Sequence, residues 1–407
     1  MEQPDLIPHL FRTEFRKITA VLAKRFGIEH LAVAEDIASE TFLAALETWP
    51  YQGIPANPTA WLYSVAKNKA KNHFYRQSVF TEKVVHQLVE SPSETAEIDL
   101  SEKNISDSQL QMLFALCHPT ISTESQIGLS LRLLCGFGID EIANAFLTNK
   151  ETINKRLFRA REKLRTEKIK IEFPDESEIN KRLDSVLTTL YLLFNEGYYS
   201  ASQDTVLRKD LCLEAMRLTY LLLENEQTNQ PAVNALSALM CFHSSRFEAR
   251  HNENGEMILY HDQDETRWNY ELIAQGAYYL RRASQGNLLP KYHLEASIAY
   301  WFTVKTDTET KWATVLQLYN QLLMVQYSPI AALNRTYALA KVKGKAAAIA
   351  EAEKLNLSDN PFYFSLLGEL YRDMDNQKAK LNFQKAFSLA KTKTDKQVLQ
   401  RQIDTIV

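Results

Sequence analysis

Apolar residues recur at helical spacing through most of the chain. Between residues 34 and 49, Ala38, Phe42, Ala45 and Trp49 share one face, and Glu35, Asp36, Ser39, Glu40, Leu43 and Glu47 are expected outside it. Leu62, Ala66, Ala70 and Phe74, reinforced by Trp61 and Val65, form a second stripe. It sets Lys67, Asn68, Lys71, Asn72 and Tyr75 on the opposite side, followed by Arg76. Just upstream, YQGIPANP (51–58) is a loop broken by Gly and Pro. Further on, Ile139, Ile142, Ala143 and Phe146 predict a short helix. The polar turn Leu147–Lys150 follows, and Ile153, Leu157, Ala160 and Leu164 predict another helix. Helix, tight turn and helix make a helix-turn-helix, whose second member lies in the DNA major groove.

Composition agrees with an all-α fold. Only 11 Gly and 12 Pro in 407 residues leave little turn chemistry for a large sheet, and the length suits two or three domains. Charge is unevenly placed. The whole chain carries −3, yet residues 150–165 hold Lys150, Lys155, Arg156, Arg159, Arg161, Lys163 and Arg165 against Glu151 and Glu162. Contact with a polyanion must therefore come from patches, not from global attraction. The opposite bias falls between Glu82 and Asp107, where seven acids meet only Lys83 and Lys103 around Ser91-Pro92-Ser93. That composition reads as a flexible acidic linker. The resulting division is a helical domain at 5–80, a linker at 81–107, a helix-turn-helix domain at 108–168 and a helical region at 175–407.

Cys117, Cys135, Cys212 and Cys241 lack CxxC spacing and read as reduced, buried residues. The N-terminal stretch lacks the pattern of a secretory signal, and the longest near-apolar run, around Leu187–Phe194, is far too short for a membrane span. A cytoplasmic protein with no membrane partner is expected.

AEDIASETFLAAL (34–46), WLYSVAKNKAKN (61–72), an acidic linker and IDEIANAFLTNKETINKRLFRAREKLR (139–165), in that order, resemble the two domains of a bacterial RNA polymerase sigma factor of the extracytoplasmic-function class. The resemblance covers roughly 10–168. ALCHPTISTESQIGLSLRLLCGF (115–137), LYLLFNEGYYSA (190–201) and DQDETRWNY (262–270) are similar to a subgroup with a tetratricopeptide-like C-terminal extension. The family implies partners: core RNA polymerase, through its β′ clamp helices and β flap, and promoter DNA. Asp36, Glu40 and Leu43 would meet the clamp helices. Lys67, Asn68, Lys71, Asn72 and Arg76 would hold the opened −10 element, and Thr152, Lys155, Arg156 and Arg159 would read the −35 element. Asn154-Lys155 and Phe158 depart from the family's usual residues, which bears on base preference rather than on fold.

The C-terminal half carries a hint of repetition. Tyr337 and Tyr371 lie 34 residues apart, and Gly368, Tyr371, Ala379, Phe383 and Ala386 follow a small/aromatic repeat pattern over 328–390. His261, Asp262, Asp264 and Arg267 suggest acid/base chemistry, but no nucleophile, phosphate loop or metal-ligand spacing accompanies them. No catalytic residue, metal or cofactor is expected, and Asp262, Asp264, Arg267 and Trp268 read as caps and buttresses. The extension is expected to regulate by protein contact, in cis or with a regulatory protein. The alternative is a polymerase-independent helix-turn-helix regulator with a helical ligand-sensing domain; an enzyme with a borrowed helix-turn-helix is the third class.

Overall fold

The computed structural model describes residues 3–84, 98–198, 205–250, 258, 260–285, 291–390 and 393–406. Among these every regular element is helical, as the composition implies. The chain forms two compact units, Met1–Thr228 and Asn229–Val407.

The first unit opens with α1 (Gln3–Phe26), α2 (Leu31–Gln52) and α3 (Pro58–Val84). Phe15, Ile18 and Leu22 of α1 are buried with Leu31, Ala34, Ala38, Phe42 and Trp49 of α2 and with Leu62, Ala66 and Ala70 of α3. Two glycines reverse the chain where a side chain would be strained. Gly27 (φ 87°) and Gly53 (φ 84°) donate their N–H groups to Ala23 and Trp49 carbonyls left open at the helix ends. Asn57 then caps α3, its side-chain oxygen accepting the Ala60 N–H at 2.9 Å.

Four further helices follow: α4 (Glu102–Leu116), α5 (Thr123–Leu133), α6 (Ile139–Ala145) and α7 (Lys150–Thr166). Each start is chemically marked. Ser101 caps α4, the Glu141 carboxylate accepts the Gly138 N–H at 2.7 Å before α6, and Asn149 accepts the Thr152 N–H at 2.8 Å before α7. The turn between α6 and α7 places Leu147 at φ 48°, a conformation costing a non-glycine residue roughly 1–2 kcal/mol. Ile142 and Ala143 of α6 and Ile153, Leu157, Ala160 and Leu164 of α7 are buried, as their spacing predicts.

Two expected boundaries shift. The acidic segment read as linker over 81–107 is helical at both flanks: α3 runs to Val84, and α4 begins at Glu102 behind the buried Ile98 and Leu100. Residues 85–97 lie outside the described ones. Apolar positions too sparse to show a period at the segment's end are recruited as core. The extension expected to start at 175 as one domain also divides. Its first helices, α8 (Glu176–Tyr198) and α9 (Thr205–Glu224), pack with each other and with α4, and belong to the first unit.

The second unit contains α10 (Pro231–Ser244), α11 (Tyr270–Ala283), α12 (Lys291–Trp301), α13 (Glu309–Val325), α14 (Pro329–Lys343), α15 (Lys345–Leu355), α16 (Pro361–Tyr371), α17 (Asn376–Leu389) and α18 (Lys393–Asp404). From α13 onward each helix packs mainly on its neighbour in chain order, and apolar clusters recur along the row around Trp312, Tyr363 and Phe383. Gly368 lets α16 close on α17: a methyl group there would stand 2.8 Å from the Phe383 ring. The segment DQDETRWNY folds as short turns. Asp264 accepts from the Thr266 N–H at 2.9 Å and Trp268 is buried, so both cap or buttress. Asp262 and Arg267 lie in these turns, with Asp262 exposed. No helix among the described residues is long and apolar enough to cross a membrane.

Candidate polymerase and nucleic-acid interface

The α2 stripe sends Asp36, Glu40 and Leu43 outward. All three are exposed, and Leu43 and Leu46 leave an apolar strip beside the acids. Glu40 is not free, since its carboxylate meets the Lys69 ammonium of α3 at 2.9 Å. At 58% and 31% side-chain exposure such a pair contributes at most about 1 kcal/mol and yields readily to a stronger partner. Leu43 and Leu46 line a cleft with Ile7, Phe11 and Phe42, an apolar surface against which a partner helix could bury side chains.

On α3, Asn68, Lys71, Asn72 and Tyr75 are exposed and Lys67 is half-buried; they lie on the face expected from the periodicity. The side chain of Arg76 falls outside the described ones. The expected 51–58 loop is shortened to residues 53–57: the end of α2 presents Tyr51, 90% exposed, and the loop presents Ile54. Amides, cations and an aromatic ring on one helix face can bond phosphates and stack on unpaired bases. Asp99 is held below the ordinary carboxylate range, chiefly by the Ser101 N–H and hydroxyl, then by attraction to Lys67 and Lys24.

On α7, Thr152, Lys155 and Arg159 are exposed. Arg156 is half-buried, its guanidinium 5.5 Å from the centre of the Phe146 ring, a cation–π contact that holds it against α6. Lys155 pairs with Glu151 at 2.6 Å one turn back.

Glu35 departs from expectation. Read as an outward acid, it is buried in the structure. Its carboxylate accepts from Arg132 Nε of α5 at 3.0 Å and from Arg161 Nη2 of α7 at 2.7 Å, with only 8% of the side chain exposed. Helical spacing contained the signal, because 31, 34, 35, 38 and 42 all fall on one face. Its charge argued the other way, and the cations that make burial tolerable lie 97 and 126 positions away. The site reading thus missed Glu35, Arg132 and the inward turn of Arg161. Among the described residues no group of His, Cys, Asp and Glu could hold a metal ion.

The chain matches the Sigma-70 region 2 family over residues 10–79, within α1–α3, which supports a factor of the sigma-70 type. It belongs to the same family as the uncharacterized protein R00370 of Rhizobium meliloti, 32% identical over 383 residues, 92% of this chain and 90% of that one. The ECF RNA polymerase sigma factor BldN of Streptomyces coelicolor is 30% identical over 138 residues, 32% of this chain and 48% of that protein. Residues 182–284 match a family of unknown function, DUF6596. No solved structure matches significantly.

Proposed function

We propose that this chain is a sigma factor of the extracytoplasmic-function class, which binds core RNA polymerase and starts transcription at promoters with −10 and −35 elements. One observation carries the reading. A matched region 2 with an acidic, outward α2 precedes a short helix, a tight turn and a basic helix with exposed cations, all on one chain. The similarity to BldN supports the class.

In this reading Asp36, Glu40 and Leu43 engage the β′ clamp helices, with Glu40 exchanging Lys69 for a cation of the partner. The loop before α3 and Lys67, Asn68, Lys71, Asn72 and Arg76 capture the opened −10 strand, offsetting an unstacking cost of a few kcal/mol per step. Thr152, Lys155, Arg156 and Arg159 read the −35 duplex from the major groove, and the domain carrying them meets the β flap. The chain works in the cytoplasm and catalyses nothing itself. The neighbour-on-neighbour packing of α13–α17 supports a tetratricopeptide-like extension that regulates by protein contact, since stacked helix pairs chiefly present surface.

The test is a footprint of the full chain on promoter DNA with and without core polymerase. Co-elution with core and two protected patches that appear only with it are expected. Identical DNA binding in both conditions would overturn the reading in favour of a polymerase-independent regulator.

A further inference from the structure

A buried carboxylate shared by two arginines from different helices is an unusual use of an acid on a helix expected to face polymerase. Glu35 ties α2 at once to α5 and α7. Asn154, Leu157, Phe158 and Arg161 of α7 line the same cleft as Ala32, Asp36 and Ser39 of α2. The helix proposed to read DNA and the helix proposed to dock on polymerase thus line one open cleft and are tied together through Glu35.

A second set of contacts reinforces this arrangement. On α1, Arg16 pairs with Glu214 of α9, and Arg12 pairs with Asp210 of α9 at 2.5 Å and with Glu141 of α6 at 3.2 Å. Arg217 of α9 donates to the Leu134 carbonyl at 2.7 Å, just past α5. From α8, Arg182 donates to the Phe114 carbonyl and Ser185 to the Cys117 carbonyl, at 2.6 and 2.7 Å, and Thr189 donates to Gln126 of α5 at 2.7 Å. The α8–α9 hairpin therefore holds α1 with one set of groups and α4–α5 with another.

We propose that these contacts are a built-in latch: Glu35, Arg132 and Arg161, backed by the α8–α9 hairpin, keep the free chain closed and unable to span a promoter. The geometry argues for closure as an inactive state. Elements named −10 and −35 are roughly 25 base pairs apart, or about 85 Å of duplex. Two modules of about 70 residues each are roughly 28 Å across, so in contact they reach only about 56 Å. Promoter engagement must separate them, breaking the Glu35 bridge and the grip of α9 on α1. The closed contacts stand on their own; that closure blocks promoter engagement, and what opens it, rest on the sigma-factor reading.

The test is pulsed-dipolar distance measurement on the full-length chain, with nitroxides on cysteines introduced at Ser64 of α3 and Thr166 of α7, both exposed. The native cysteines are all buried, so labelling favours the introduced pair. The free chain is expected to give one short, narrow distance. E35K should raise the long-distance population at least threefold without polymerase. R161Q, which leaves Glu35 its Arg132 partner and so spares folding, should do so to a lesser degree. Adding R161E to E35K should restore the short distance. Core polymerase with promoter DNA should lengthen the wild-type distance by tens of ångströms. A free wild-type chain already at long distance, or E35K and R161Q distributions matching wild type, would overturn the latch. Two open variants with no effect of polymerase would uphold it and count against the sigma-factor reading.

Discussion

Replacing Glu35 and Arg161 singly and together by glutamine tests how much energy the buried bridge carries. Its 2.7 Å separation is no shorter than the 2.6 Å of Glu151–Lys155 on the outer face of α7, so contact distance alone predicts equal worth. Burial separates them. The outer pair is 75% and 63% exposed, whereas Glu35 is 8% and Arg161 27% exposed. For the outer pair, high dielectric and side-chain entropy leave about 0.3–0.5 kcal/mol. For the inner pair the charged hydrogen bond is shielded from water, and about 1.5–3 kcal/mol of coupling is expected. Arg132 remains on Glu35 when Arg161 is removed, which places the value near the lower end, about 2 kcal/mol. Hydrogen exchange of α2 and α7 amides in the full chain reads opening directly, and about 2 kcal/mol is a change of roughly 30-fold in protection. A cycle closing to within about 0.5 kcal/mol, as for the outer pair, would refute the claim that burial makes this bridge strong.

Other outcomes follow from the exposed faces and from one half-buried histidine. Arg156→Ala or Arg159→Ala should each weaken promoter binding by about 1–3 kcal/mol for a bidentate base contact, and by less for a phosphate contact, in a fluorescence titration at fixed salt. Reversing Asp36 and Glu40 to lysine should abolish co-elution with core polymerase while circular dichroism stays at wild type, because both side chains project from the apolar face. His243 lies half-buried in α10, and loss of hydration, then Arg246 and Arg250, hold its proton affinity well below the ordinary value. Its folded pKa lies below the unfolded one, so the stability it confers is present above about pH 6.5 and lost as pH falls, at up to about 1.4 kcal/mol per pH unit. Urea unfolding from pH 7 to 5 should show that loss, and His243→Leu should flatten it.

The sequence was most readable where one helix buries one stripe against near neighbours. Ile153, Leu157, Ala160 and Leu164 are buried on α7, and Thr152, Lys155 and Arg159 face outward, because a single period decides both faces. The outward set on α2 was legible for Asp36, Glu40 and Leu43 for the same reason. Glu35 was not, since its burial depends on two arginines that only tertiary folding delivers. The membership of α8 and α9 in the first unit was equally hidden. Their apolar stripes predict helices, but Arg182, Thr189, Glu214 and Arg217 find partners 63–198 positions away, and helical spacing cannot name them.

Run-off transcription with purified core polymerase on a random promoter library tests the central claim most directly. With the full chain present, transcripts should arise from templates sharing two sequence motifs about 25 base pairs apart. Asp36→Lys/Glu40→Lys should lose them, and Arg159→Ala should relax only the upstream motif. Transcripts identical to those of core polymerase alone would contradict it.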